Sequence, residues 1–211
     1  MEQRTDEWYE ARLGKVTASR VADIVAKTKS GYSTSRESYM NELLCERLTG
    51  KRTILFQTAA MAWGTNTELM AVLAYEAKTG NLVEGVGFVP HPTIESSGAS
   101  PDGLVDHDGL IEIKCPNTST HLDTVLASIP PAKYVTQMQW QMACTGRQWC
   151  DFISYDPRLP EKMQIFIQRV PRDDTMIANL EKEVNLFLKE MGDKIALLDA
   201  AFNVEGEDDG I

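Results

Sequence analysis

The feature that most restricts what this chain can fold into is a change in the period of its apolar residues at Leu82. Upstream, sets such as Val21, Ile24 and Val25, or Tyr39, Leu43 and Leu44, recur at helical spacing. From Leu82 the apolar residues come in short segments bounded by turn residues: Leu82 to Val89, Leu104-Val105, and Leu110 to Lys114. These read as strands. Helical spacing returns over Leu122 to Ala127 and Ala132 to Cys144, followed by strand patterns at Trp149 to Tyr155 and Met163 to Val170. A last helix over about Asp174 to Leu198 places Ile177, Leu180, Val184, Phe187, Leu188 and Met191 on one stripe. Helices on either side of a block of strands make an α/β chain.

Caps and breakers set the element ends. Thr5 and the acids after it start a helix that Gly14 stops, and Thr17-Ala18-Ser19 opens a second. Ser35 caps a third, with Gly50 beyond its end. A fourth runs from about Thr58 to Lys78, carrying Leu69, Val72 and Leu73, with Gly80 after it. Asp106-His107-Asp108-Gly109 is short enough to join its two flanking strands as a hairpin.

With 211 residues, 43% of them hydrophobic, the chain can bury one sizeable core. The expected organisation is one domain over residues 1–203 and an acidic, flexible tail over 204–211, which contains Glu205, Glu207, Asp208 and Asp209. The net charge of −10 argues against a general nucleic-acid coat, so any affinity for DNA must be local. The first fifteen residues contain no apolar run and no stretch approaches a membrane span, so an intracellular, cytoplasmic protein is expected. Cys45, Cys115, Cys144 and Cys150 form no C-x-x-C pair and are expected to be buried free thiols.

Chemistry concentrates in Pro101-Asp102 and Glu112-Ile113-Lys114. On a strand Glu112 and Lys114 project from one face while Ile113 turns to the other. Asp102, at the entrance to the hairpin, can reach the same side, which gathers two carboxylates and an amine around one point. Phosphodiester cleavage uses such a set, because hard Mg²⁺ prefers carboxylate oxygens and must neutralise charge on the scissile phosphate. Asp102 and Glu112 are therefore expected to hold metal, with the Ile113 carbonyl as an additional ligand and Lys114 orienting the water.

The E-x-K pattern alone is weak. Glu76-Ala77-Lys78 repeats it in a helical region, where residues two apart do not share a face. Glu112 by itself reads equally well as an edge-strand salt bridge with Lys114, and Asp102 tips the balance. Glu68, in the fourth helix, is on its own an ordinary exposed carboxylate, although a third acid would complete a two-metal site. Tyr134, Gln137 and Gln141 share a helical face that can meet a phosphate backbone or merely be polar surface, and Gln139 lies away from it. Arg12 and Ser19 bracket a helix start that can hold phosphate, while the simpler reading is a surface cation and a cap. His91, His107 and His121 have no metal spacing and fall in loops. Neither Ser100 nor Cys115 has the partners of a nucleophile. Trp140 and Met142 read as core.

Several segments together resemble the lambda-exonuclease family, also called YqaJ-like viral recombinases: Trp8 to Ser19 (WYEARLGKVTAS), Ala62 to Glu68 (AWGTNTE), Ser100 to Gly103 (SPDG), Gly109 to Pro116 (GLIEIKCP), Tyr134 to Gln139, and Tyr155 to Arg158 (YDPR). The resemblance spans nearly the whole chain in the family's order. It implies a restriction-endonuclease-like α/β core, a central mixed sheet flanked by helices. It also implies a two-Mg²⁺ site, for which Mn²⁺ is a possible substitute, in a homotrimeric ring that threads double-stranded DNA and releases mononucleotides from the 5′ strand. Glu68, Asp102, Glu112 and the Ile113 carbonyl would hold metal, and Lys114 would stand at the water. Arg12, Ser19 and Ser100 would grip a terminal 5′-phosphate, and Gln137 and Gln139 match the family's glutamine motif. A single-strand-annealing recombination protein in a bacterial host cell is the implied partner. Two rivals are a site-specific endonuclease on the same core, which would also cut closed plasmid, and a non-catalytic recombination scaffold, which would bind no Mg²⁺.

Overall fold

The computed structural model describes residues 1–53 and 58–204, so the acidic residues of the expected tail, from Glu205 on, lie outside the described residues. The N-terminal part consists of α1 (Asp6–Arg12), β1 (Val16–Thr17), α2 (Val21–Val25), the hairpin β2 (Lys27–Thr28) and β3 (Gly31–Tyr32), α3 (Thr34–Thr49) and α4 (Ala59–Thr79). Then come β4 (Val83–Glu84), β5 (Val89–Pro90), β6 (Ser97–Ala99), β7 (Gly103–Val105) and β8 (Gly109–Lys114). The chain continues through α5 (Thr118–Ala127), α6 (Ala132–Thr145), β9 (Trp149–Tyr155), β10 (Ile165–Pro171) and α7 (Asp174–Val204).

The central strand is β8, because its sequence GLIEIK is apolar enough to be covered on both faces. It pairs in parallel with β9 and antiparallel with β7, in a five-stranded mixed sheet ordered β10-β9-β8-β7-β4. Alternation sends Ile111 and Ile113 to one face, where they meet Ala71 and Tyr75 of α4 and Ile153 of β9. Leu110 goes to the other face, against Met138 and Met142 of α6, Phe152 and Ile177. Glu112, two residues on, therefore points at α6. A second sheet, β1-β6-β5, borders a core in which Trp140 packs with Val16, Tyr39, Val184 and Phe187. Each such large apolar side chain contributes about 1.5–3 kcal/mol when fully buried.

The caps act as their chemistry requires. Thr5 Oγ1 accepts the Trp8 N–H, and Thr58 Oγ1 accepts that of Met61. Gly50, Gly80 and Gly146 close their helices in the left-handed region, φ 64, 77 and 73. Asp106, φ 48, turns the β7–β8 hairpin, so Val105 pairs with Gly109. At Gly109 a Cβ would overlap the Trp149 ring on β9. Gly109→Ala is expected to destabilise the protein by about 2 kcal/mol, lowering Tm by about 4–8 °C. A thermal melt matching the wild type would show that Trp149 yields freely.

Several expectations are corrected. The inward face of α4 is Thr67, Ala71 and Tyr75, whereas Leu69 and Leu73 are 68% and 56% exposed. Ser33 rather than Ser35 precedes α3, and Leu82 to Val89 splits into β4 and β5, which join different sheets. The last helix runs through Val204, past the expected boundary at Leu198. His121 lies inside α5, fully buried, with its ring nitrogens 2.8 Å from Ser154 Oγ and 2.8 Å from the Met163 carbonyl. His91 is a buried loop residue stacked on Trp140. Cys144 and Cys150 are buried, but Cys45 is exposed and Cys115 half-buried. Among the described residues, no helix is long and apolar enough to cross a membrane.

Candidate active site

The β7–β8 ladder ends at Gly103 opposite Ile111, which leaves the Ile113 N–H beyond the last strand pair. Asp102, just before β7, accepts that N–H on Oδ2 at 2.6 Å and so takes the place of the missing strand. Its carboxyl is thereby pinned beside the residue between Glu112 and Lys114. Burial pushes the Asp102 pKa well above the usual carboxylate range, and the charges of Glu112 and Glu68 push the same way.

Glu112 has no solvent exposure, and a buried carboxylate persists only when its oxygens are hydrogen-bonded. Gln137 Nε2 donates to Oε1 at 2.7 Å and Gln141 Nε2 donates to Oε2 at 2.6 Å, both from the inward face of α6. The Lys114 ammonium forms an ion pair with the same carboxylate and lies 5.0 Å above the centre of the Tyr134 ring. Burial opposes the lysine's charge, yet Glu112 and Asp102 outweigh burial and hold its pKa above the ordinary value. Lys114 is therefore a resident cation.

Glu68 reaches the same region from α4. Its Oε2 accepts from Arg4 Nη2 at 2.5 Å. Glu68 and Asp102 border a cavity of about 430 Å³ whose remaining wall includes Gln3, Arg4 and Val86. Among the described residues no three acid, histidine or cysteine side chains converge into a closed ligand cage. Each acid is instead tied separately: Asp102 to a backbone N–H, Glu112 to two amides and Lys114, Glu68 to Arg4. The donors are nonetheless all oxygens, and Asp102 is short of positive charge. That chemistry fits a hard divalent cation.

A second cavity, of about 630 Å³, opens beside the first and is lined by Arg4, Arg12, Lys15, Arg20 and Arg52 together with Ser19. In a chain of net charge −10 this is the local concentration of cations that binding to phosphate requires. Arg20 is committed to Asp23 and Glu42. Arg12 makes no ion pair among the described residues. Its guanidinium lies 4.0 Å from the Trp8 ring centre and donates to Ser100 Oγ at 3.0 Å, and burial lowers its pKa. Trp8 Nε1 donates to the same Ser100 oxygen at 2.9 Å. With both acceptor positions of that hydroxyl filled, its own hydrogen is left to point at an acceptor such as phosphate.

Of the residues singled out from sequence, Asp102, Glu112, Ile113, Lys114, Gln137 and Tyr134 come together, and Arg12 and Ser100 touch each other at the basic cavity. Ser19 lines that cavity from a short 3-10 turn before the five-residue α2, so side chains rather than a helix dipole supply its positive potential. Gln139 is not brought to the site. It is buried with both ends of its amide used, donating to the Pro171 carbonyl and accepting the Asp173 N–H at the start of α7. Gln141 holds the place beside Glu112 instead, as its four-residue spacing from Gln137 allows. Arg4, Trp8, Lys15 and Arg52 were not anticipated. Only Trp8 had a signal, its spacing of four from Arg12 on α1.

Comparison with known proteins adds an independent line. Residues 7–148 match the family model described as the YqaJ-like viral recombinase domain. The chain is 54% identical to an alkaline exonuclease, LHK-Exo, from Laribacter hongkongensis; the match covers 94% of this chain and 98% of that one with a TM-score of 0.89. A structure of LHK-Exo in complex with dAMP matches equally. A phage related exonuclease from Haemophilus somnus 129PT is 17% identical, with a TM-score of 0.72 over 87% of this chain and 96% of that one, and supports the fold. No curated protein sequence gives a significant match. The expected restriction-endonuclease-like α/β core is borne out by these structural matches.

Proposed function

The chain belongs to the YqaJ-like viral recombinase family, and from that premise we propose that it is a DNA exonuclease. In full, the proposed activity is Mg²⁺-dependent, processive 5′→3′ degradation of one strand of linear double-stranded DNA to mononucleotides, leaving 3′ overhangs for recombination by strand annealing. The observation that carries the reading is the union of Asp102, Glu112 and Lys114 around the C-terminal end of β8, with a basic cavity alongside. The neighbouring alkaline exonuclease, with its dAMP complex, supports both the activity and the mononucleotide product.

Two Mg²⁺ ions, held by Glu68, Asp102, Glu112 and the Ile113 carbonyl, would supply Lewis-acid neutralisation of the scissile phosphate and polarise the attacking water. Mn²⁺ would serve in their place. The amides of Gln137 and Gln141 each donate to one Glu112 oxygen and fix the carboxylate in orientation. Lys114, charged throughout, orients the water and stabilises the negative charge that develops on phosphate. Tyr134 packs beneath the lysine and limits its swing. Arg12, Ser19 and the free hydrogen of Ser100 receive the terminal 5′-phosphate, which places the first phosphodiester at the acids. A homotrimeric ring around the duplex would hold an acidic protein on DNA without high intrinsic affinity, and a single-strand-annealing protein would take up the exposed strand.

The test is digestion of linear duplex, with and without Mg²⁺, by the wild type and Lys114→Ala, following product size. Mononucleotides released only with metal and Lys114 establish the activity, and a folded, Mg²⁺-supplied wild type that leaves DNA intact refutes it. For the phosphate pocket, Arg12→Ala is expected to remove the preference for phosphorylated over hydroxyl ends, a change of about 10–100-fold in relative rate. A variant that still favours phosphorylated ends as strongly as the wild type would take Arg12 out of end recognition.

A further inference from the structure

Arg4 lines both cavities, the basic one and the one beside Glu68 and Asp102. Its backbone is in the left-handed region, φ 69, which a non-glycine residue holds only where its neighbours impose it. Those neighbours are evident. Gln3 Nε2 donates to the Val86 carbonyl at 2.8 Å and to the Pro101 carbonyl at 2.7 Å, while Thr5 caps α1 on the other side. The segment is thus fastened before and after Arg4, and the strained residue between aims its side chain into the site.

The side chain is held far less firmly than the backbone. Its one hydrogen bond among the described residues goes to Glu68, and the two side chains are 45% and 30% exposed. Exposed ion pairs of this kind are weak and exchange readily, and the remaining guanidinium N–H groups are free to meet another anion. Glu112 has a permanent cation in Lys114; Glu68 has only this loose one.

We propose that Arg4 is a shuttling cation that neutralises Glu68 in the metal-free protein and turns to a phosphate of the bound strand once Glu68 is given over to a divalent cation. This rests on the reading of Glu68 as a metal ligand. The step makes and breaks no covalent bond. It would keep the acid cavity from standing as uncompensated negative charge in the path of DNA, and would add a phosphate contact between the end-binding pocket and the point of cleavage.

The experiment uses the full chain without DNA, measuring Mn²⁺ binding by titration calorimetry and by electron paramagnetic resonance for wild type, Arg4→Ala, Arg4→Lys and Glu68→Gln. Arg4→Ala is expected to bind Mn²⁺ about threefold tighter, because the competitor is gone, and Arg4→Lys to fall between. In Ca²⁺, used to hold DNA without cleavage, Arg4→Ala is expected to bind 5′-phosphorylated duplex at least about tenfold more weakly. Unchanged Mn²⁺ affinity, or unchanged duplex affinity, in a folded Arg4→Ala protein overturns the proposal while leaving Glu68 as a ligand. Wild-type Mn²⁺ binding by Glu68→Gln removes Glu68 from the metal site, and both readings fall together.

Discussion

Lys114→Ala is expected to slow metal-dependent release of mononucleotides by about 10³-fold while the protein stays folded. The size follows from the two roles one ammonium holds: positioning the water and countering charge on the phosphate in a partly desolvated site. Folding is less affected, because Glu112 keeps both amide donors when the lysine is removed. The Lys114 side chain is 28% exposed but the Glu112 side chain it leaves behind is fully buried, so losing the ion pair is expected to cost about 2–4 kcal/mol, less than for a dry pair because both amide donors remain. Lys114→Arg keeps the charge but replaces a compact ammonium with a planar fork above Tyr134, and is expected to recover little of the rate. Single-turnover digestion of 5′-phosphorylated duplex separates these variants from slow product release. More than a tenth of the wild-type rate in Lys114→Ala would place the chemistry elsewhere.

That site was legible because a strand's period of two leaves no freedom: once GLIEIK is a strand, Glu112 and Lys114 must share a face. The face of α6 was equally fixed by its spacing, and there geometry prevailed over the glutamine motif. Gln137 and Gln141 meet Glu112, and Gln139 anchors α7. The inward face of α4 was not legible, since hydrophobicity favoured Leu69 and Leu73. Contact with the sheet instead selected small Ala71, and Tyr75, whose hydroxyl donates to the buried Asp151 carboxylate at 2.9 Å. Two-residue strands such as β1 show no period, and β1 exists because β6, some eighty residues later, pairs with it. The basic cavity was legible only in part. Arg12 and Ser19 stood out at a helix start and the family resemblance added Ser100, which touches Arg12, whereas Arg4 and Arg52 come from distant parts of the chain and no local pattern announces them.

Glu112→Gln is expected to abolish cleavage, with a loss of about 10³-fold or more, and also to destabilise the fold by about 1–3 kcal/mol. The second effect comes from donor and acceptor counting. A carboxylate offers two acceptor oxygens, and Gln137 and Gln141 each donate to one of them. An amide offers only one acceptor, so its NH₂ must face another NH₂. Turning an amide gives partial relief: Gln141 Oε1 is buried without a hydrogen bond, and turning it toward the new NH₂ would leave its own Nε2 unpaired in the interior, while half-buried Gln137 could turn in the same way. Combining Glu112→Gln with Gln141→Glu moves the buried acceptor by one side chain, so the pair is expected to regain at least half of the lost stability. The charge would then stand on α6 rather than on β8 next to Lys114, so cleavage should stay absent. Thermal melts and mononucleotide release read the two effects separately. A double variant that melted like the wild type and also cut DNA would mean that the site needs a negative charge near β8, but not the Glu112 carboxylate between Lys114 and its two amides.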